Sequence, residues 1–261
     1  MKTSQKMVIF DHTRIVNLIA GLFFCCMSLV SFADSLPDSI LTKVPSPTLI
    51  KGNLQLTNNG ISPVPYFTLG EPALLTFLYL TKGRLSFSPE FNFDLKAKPW
   101  SFNTWLRYNL IRTKRYNFYL GSNFSIIFKR LDPKIFKEDL QAQRYQMLDI
   151  MMTYKIDQNK MLSFYYWKTS TLDHLGITSS HFVMLALQID NLLRSENTVI
   201  SFRPSVFVIN NTLPFSGLFM SQITKISTKK FPLSFSLQTV ETLQSSEQAK
   251  FNWNVGINVP F

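Results

Sequence analysis

The chain has 261 residues, 46% of them hydrophobic and 24 of them Phe, yet only 16% are charged, against roughly a quarter in an ordinary globular protein. Both cysteines, Cys25 and Cys26, fall in the N-terminal segment, so the remainder of the chain has no thiol for a disulfide or for nucleophilic catalysis. The formal charge of +11 is carried by scattered Lys and Arg with no nucleic-acid motif among them, which argues against nucleic acid as a partner.

Lys2, Lys6 and Arg14 precede an apolar stretch from Ile15 to Val30, and Ser31-Phe32-Ala33 supplies small residues for a signal peptidase. At roughly 16 residues this stretch is short for the ~20 a spanning helix needs. Residues 1–33 therefore read as a secretory signal peptide, cleaved after Ala33. Phe24 precedes Cys25, and Cys25 precedes Cys26, where a lipoprotein signal places a small residue, so lipidation is not expected. Removing Lys2, Lys6, Arg14 and Asp11 with the leader leaves a charge of +9. Residues 34–47 are polar, contain three prolines and read as a flexible lead-in.

From Thr48 to the end the dominant signal has a period of two. It is cleanest from Arg84 to Leu95, where Leu85, Phe87, Pro89, Phe91, Phe93 and Leu95 alternate with Arg84, Ser86, Ser88, Glu90, Asn92 and Asp94. Phe118, Leu120, Ser122, Phe124, Ile126 and Phe128 alternate in the same way with Asn117, Tyr119, Gly121, Asn123 and Ser125. Ile200, Phe202, Pro204, Val206 and Val208 alternate with Ser201, Arg203 and Ser205. Phe251, Trp253, Val255, Ile257, Val259 and Phe261 alternate with Asn252, Asn254, Gly256 and Asn258.

About twelve strands result, near 48–57, 73–81, 84–95, 100–111, 116–128, 143–156, 160–169, 180–190, 198–209, 217–227, 233–243 and 251–261. Their lengths suit a tilted transmembrane strand of ~9–11 residues better than the five or six usual in soluble sheets. Odd-numbered connections include the longest, near 58–72, 129–142 and 170–179, and several even ones are tight turns, which is the loop pattern of a membrane barrel. The third connection is shorter than that pattern asks, and the one over 191–197 is longer. The fold class predicted is all-β: a transmembrane, antiparallel, up-and-down β-barrel over residues 48–261. Pro89 and Pro204 interrupt good strands, and a bulge at each would accommodate the missing N–H.

The segment from Asn254 to Phe261 carries a polar residue, a glycine two positions later and two hydrophobic positions ending in an aromatic, here Asn254, Gly256, Val259 and Phe261. It resembles the C-terminal insertion signal of bacterial outer-membrane β-barrel proteins. The stretch 87–110, FSPEFNFDLKAKPWSFNTWLRYNL, is similar to an uncharacterised group of such proteins. The resemblance implies the cell outer membrane as location, with the barrel-assembly machinery, outer-membrane lipid and lipopolysaccharide as partners. It implies no activity, and the His-x-Ser motif of the outer-membrane phospholipase is absent from this sequence.

Chemistry-bearing residues are sparse. His174 and His181 are the histidines beyond the leader, and Ser179, Ser180 and His181 lack an evident carboxylate partner for a hydrolytic triad. No clustered ligands call for a metal and no glycine loop calls for a phosphate cofactor, so no cofactor is expected. By parity the interior receives Glu90, Asp94, Arg107, Asp149, Lys155 and Arg203. Arg107 and Arg203, if mid-strand, belong inside, because an Arg facing hydrocarbon costs about 2–4 kcal/mol. Glu90 and Asp149 are the candidate partners. Two readings stay open: charges that filter solutes in a narrow pore, and mutually paired charges that plug a lumen. Trp100, Trp167, Trp253, Tyr108, Tyr116 and Tyr166 are candidates for interfacial aromatic girdles.

The function expected is that of a monomeric outer-membrane barrel acting as a narrow pore or transporter for small polar solutes. A non-conducting surface barrel, an outer-membrane lipid-modifying enzyme and a soluble periplasmic lipid-binding barrel are the alternatives.

Overall fold

A strand whose side chains alternate between apolar and polar has two unlike faces, and each of its edges still needs a hydrogen-bonding partner. Closing the sheet on itself meets both demands. The computed structural model describes residues 48–64, 67–131, 140–174, 178–211, 216–228, 230–245 and 251–261. The predicted signal peptide (1–33) and lead-in (34–47) lie outside the described residues.

Twelve strands succeed one another: β1 (Leu49–Thr57), β2 (Ala73–Lys82), β3 (Leu85–Asp94), β4 (Pro99–Arg112), β5 (Tyr116–Arg130), β6 (Leu140–Lys155), β7 (Lys160–Thr171), β8 (Ser179–Arg194), β9 (Thr198–Asn211), β10 (Gly217–Thr228), β11 (Ser234–Ser245) and β12 (Phe251–Pro260). Each pairs antiparallel with its sequence neighbours, and β12 pairs with β1, so the sheet is a closed up-and-down barrel. The connections 83–84, 113–115, 156–159, 195–197 and 229–233 gather at one end, here the turn end. The other, loop end carries the connections that include 58–72, 131–139 and 172–178.

The faces separate by parity. On β3, Leu85, Phe87 and Phe91 are exposed on the outer wall, while Ser88, Asn92 and Asp94 are buried inside. On β12, Phe251, Trp253, Val255, Ile257 and Val259 are exposed, and Asn254 and Asn258 are buried. An outer wall this apolar is far larger than the exposed patches soluble monomers tolerate.

No bulge forms at either proline. The β2–β3 ladder keeps its register from Phe77↔Glu90 to Leu80↔Phe87 and omits the two pairs between, one of which involves Pro89. The β8–β9 ladder runs in the same way from Ala186↔Ser205 to Ile189↔Phe202 across Pro204. On its other side each proline stays in pairing, as Pro89↔Thr104 and Gln222↔Pro204. The proline nitrogen is thus tolerated by a local lapse in one ladder instead of an inserted residue. A register shift does occur further along β8, between Ile189 and Leu193, where Asn191 adopts φ 55°. This irregularity lets β8 continue to Arg194, which shortens the connection read as 191–197 to 195–197.

The β1–β12 seam is the shortest ladder, from Asn53↔Pro260 to Thr57↔Gly256. Beyond it, Gly52 N–H donates to the Phe261 carbonyl (2.8 Å) and Phe261 N–H donates to the Gly52 carbonyl (3.0 Å). The Phe261 ring lies over Gly52, and a Cβ at that position would fall 2.2–2.8 Å from ring carbons. Glycine at 52 is what gives the ring its seat.

Candidate functional site

The interior is built from rows of inward side chains on adjacent strands. One row runs Arg107↔Gly121 (β4–β5), Gly121↔Asp149 (β5–β6), Asp149↔Trp167 (β6–β7) and Trp167↔Phe182 (β7–β8). Asp149 is fully buried, and both its oxygens are occupied. Arg107 Nε donates to Oδ2 (2.5 Å) and Trp167 Nε1 donates to Oδ1 (2.6 Å). Arg107 lies two strands from Asp149, and it reaches across because Gly121 between them has no side chain. A Cβ there would meet Arg107 Cγ at 2.8 Å and Asp149 Oδ2 at 3.1 Å. The guanidinium also sits 4.6 Å from the centroid of the Trp105 ring.

A second row places Glu90, Asn103 and Ser125 side by side. Asn103 Nδ2 donates to Glu90 Oε2 (3.1 Å) and Ser125 Oγ donates to Asn103 Oδ1 (2.7 Å). Glu90 thus ends a chain of neutral amide and hydroxyl groups. Arg203 lies on β9 and donates to the Tyr165 hydroxyl (3.1 Å). Of the inward charges named from sequence, Arg107 and Asp149 are brought together, and Glu90 and Arg203 have neutral partners among the bonds described.

Asp94 is buried at the loop end. It binds Arg130 and accepts the backbone N–H groups of Lys96 and Lys98 (2.8 Å each), so it holds the 94–98 turn together. Lys155 is exposed at the turn end. Of the C-terminal motif, Asn254 faces inward and donates to Gln238 (3.3 Å). Gly256 leaves room for Gln55, whose Nε2 would be 2.6 Å from an added Cβ. Val259 and Phe261 lie on the outer wall.

Toward the loop end, one side of the interior carries an apolar wall, which alternation along single strands does not suggest. Inward Trp167, Phe182, Phe207 and Phe219 form a continuous wall on β7–β10, with ring centroids 4.3, 5.5 and 5.1 Å apart in turn. Trp105 joins at 5.1 Å from Trp167. The signal lies in Phe207 and Ile209, which continue the inward parity of Ser201, Arg203 and Ser205 with apolar side chains.

What covers this wall is the β1–β2 connection, of which Ile61, Val64 and Phe67 lie inside the barrel. Ile61 is buried against Phe182, Phe207, Ile209, Phe219 and Val240, with Val64 beside them. Phe67 packs on Trp105, Ile127, Tyr145 and Met147, its ring 5.3 Å from that of Tyr145. Trp100 Nε1 donates to the Phe67 carbonyl (2.8 Å). Trp100 and Trp167 are therefore not girdle residues: one is buried against the connection and the other is bound to Asp149 inside. Trp253 and Tyr108 are exposed on the outer wall. The Tyr166 hydroxyl lies 2.9 Å from His181 Nδ1, whereas Ser180, next in sequence, is buried on the opposite face, so these groups do not converge.

At the turn end the interior opens into a cavity of about 540 Å³. Arg84, Arg107 and Arg112 line it with Tyr79, Asn109, Asn117, Tyr119 and several Ser and Thr, and no carboxylate is among its lining residues.

No family model matches the chain, and no curated protein matches it in sequence. Solved structures match in fold. A KdgM porin is similar over 81% of this chain and 99% of its own, at 7% identity and a TM-score of 0.51. A KdgM porin in complex with disordered oligogalacturonate covers 82% and 99%, at 7% identity and a TM-score of 0.50. At such identities the likeness is one of architecture: the twelve strands are wound as in bacterial outer-membrane porins.

Proposed function

We propose that the mature chain, freed of residues 1–33, is a monomeric barrel of the cell outer membrane that passes small polar solutes and favours anions. The observation that carries this reading is a closed barrel with an apolar outer wall and, inside, an arginine-lined cavity without a carboxylate. Hydrocarbon satisfies the outer wall, and closure leaves no strand edge unpaired in lipid. Arg84 and Arg112 flank the cavity with their guanidinium groups bonded only to backbone carbonyls (Leu110 at 3.1 Å and Gly83 at 3.5 Å) among the bonds described, so their charge is available to a solute. A porin of the same fold holds an oligogalacturonate, and that precedent supports a solute path through such a barrel.

The barrel-assembly machinery, reading Asn254, Gly256, Val259 and Phe261, and the lipid and lipopolysaccharide around the wall are its partners in this reading. Reversal potentials in planar bilayers across a salt gradient test it. The parent should favour anions, and Arg84→Gln with Arg112→Gln should move the potential toward cation preference. No current from the parent or from any variant would end the pore reading. The second reading, a non-conducting surface barrel, is favoured by one observation: the β1–β2 connection fills the loop end of the lumen.

A further inference from the structure

The connection that enters the barrel is a compact wedge. Gly60 N–H donates to the Glu71 carbonyl (2.8 Å), and Leu69 N–H donates to the Gly60 carbonyl (2.9 Å), which pins the neck of the wedge to itself. Gly70, in the left-handed region at φ 75°, turns the chain back toward β2. Inside the neck, Ser62 N–H donates to Thr68 Oγ1 (3.2 Å) and Phe67 N–H to the Val64 carbonyl (2.9 Å). These bonds close within the wedge itself, and Trp100 Nε1 ties its tip to the wall through the Phe67 carbonyl.

Besides the Trp100 bond, the wedge is held in the barrel by apolar contact. Ile61 and Val64 meet the β8–β11 side, and Phe67 meets the β4–β6 side. On the latter side an open cleft of about 260 Å³ runs beside the wedge, lined by Phe67, Thr68 and Leu69 and by Trp100, Ile127 and Gln143 of the wall. A self-bonded unit with a glycine neck and an open cleft beside it can leave by giving up three apolar contacts and the Trp100 bond, without breaking a backbone ladder.

We propose that the wedge formed by residues 60–64 and 67–69 is a removable stopper that shuts the loop end of the lumen, so that the barrel conducts when the wedge swings out on its Gly60–Gly70 neck. This rests on the pore reading. It adds that the resting barrel is closed by its own chain, and that the wall of Phe182, Phe207 and Phe219 is the seat of the closed state.

The test is single-channel recording of the refolded mature chain beside a variant carrying Ile61→Asp and Phe67→Asp, which places two carboxylates in the apolar seat. Folding of both is checked by strand circular dichroism and by heat-shifted gel migration. Tryptophan emission reports the wedge, because Trp100 and Trp105 lie against it while Trp253 faces outward and does not change. The expected result is a parent that is mostly shut and a variant with at least about tenfold more open time and red-shifted emission. A parent as open as the variant overturns the stopper and leaves the pore standing. Silence from both overturns the stopper as the barrier, and emission then separates the causes. A red shift means the wedge left and the lumen is shut beneath it, so the pore reading falls too. Unchanged emission means the wedge is a fixed part of the wall that shuts the lumen for good, and the pore reading falls with the stopper.

Discussion

Asp149 has no exposed surface, and its two oxygens take one bond each from Arg107 and Trp167. Removing one member of such a buried pair strands the other, at a cost of about 3–5 kcal/mol. Asp149→Ala should therefore lower the unfolding free energy measured by guanidinium titration in micelles by an amount in that range. Arg107→Met combined with Asp149→Leu should cost clearly less than the single change, because neither charge is left behind. Equal losses would mean that the pair is not a unit. The partnership is half legible in the sequence. Parity puts both residues inside, but only the register shows that Gly121 stands between them and that Trp167 takes the remaining oxygen. Register depends on turn lengths and on irregularities such as the shift between Asn109 and Ile111, which alternation alone does not locate.

At the scale of single elements, β1 and β12 meet through the shortest ladder and add a ring seated on a glycine. Gly52→Val drives a branched side chain into Phe261, and overpacking of this kind costs about 1–3 kcal/mol. The heat-resistant folded band should weaken on refolding in detergent, and Phe261→Ala in the same background should restore it in part. In the 172–178 connection, Asp173 accepts the Arg144 backbone N–H (2.6 Å) and its guanidinium (2.6 and 3.0 Å). These bonds hold the Asp173 carboxyl below its usual 3.8. A depressed carboxyl contributes fully above the unfolded value and loses its contribution as pH falls through the folded one. Amide exchange at Leu172, which donates to the Arg144 carbonyl (2.9 Å), should therefore be protected alike at pH 5 and 7. Protection should fail only below about pH 4, and Asp173→Asn should remove that pH dependence.

The strands are the legible part of this chain because a barrel wall imposes one rule on every residue in turn. Lipid-like and water-like faces alternate, and both prolines and the long β8 fit that rule with local irregularities. The interior is less legible, since side chains there answer to neighbours set by register and to a connection whose path no period describes. Ile61, Val64 and Phe67 are apolar residues in what reads as a loop, and only the inward apolar side chains of β8–β11, for the first two, and of β4–β6, for Phe67, explain them. For the molecule as a whole, an exposed apolar wall predicts that the barrel stays folded only in detergent or lipid. Recovery of a folded, monodisperse barrel from plain buffer would overturn the membrane reading.

The position of that wedge has a kinetic side. It joins the first two strands of the sheet, yet the part of its seat that holds Ile61 is made by strands more than a hundred residues downstream. Contacts so distant along the chain are the last to be rewarded during folding. The first connection synthesised therefore settles late, once β8–β11 have formed. A barrel stalled before its eighth to eleventh strands are in place has nothing for Ile61 to dock on, and such an unfinished wall would stand unblocked.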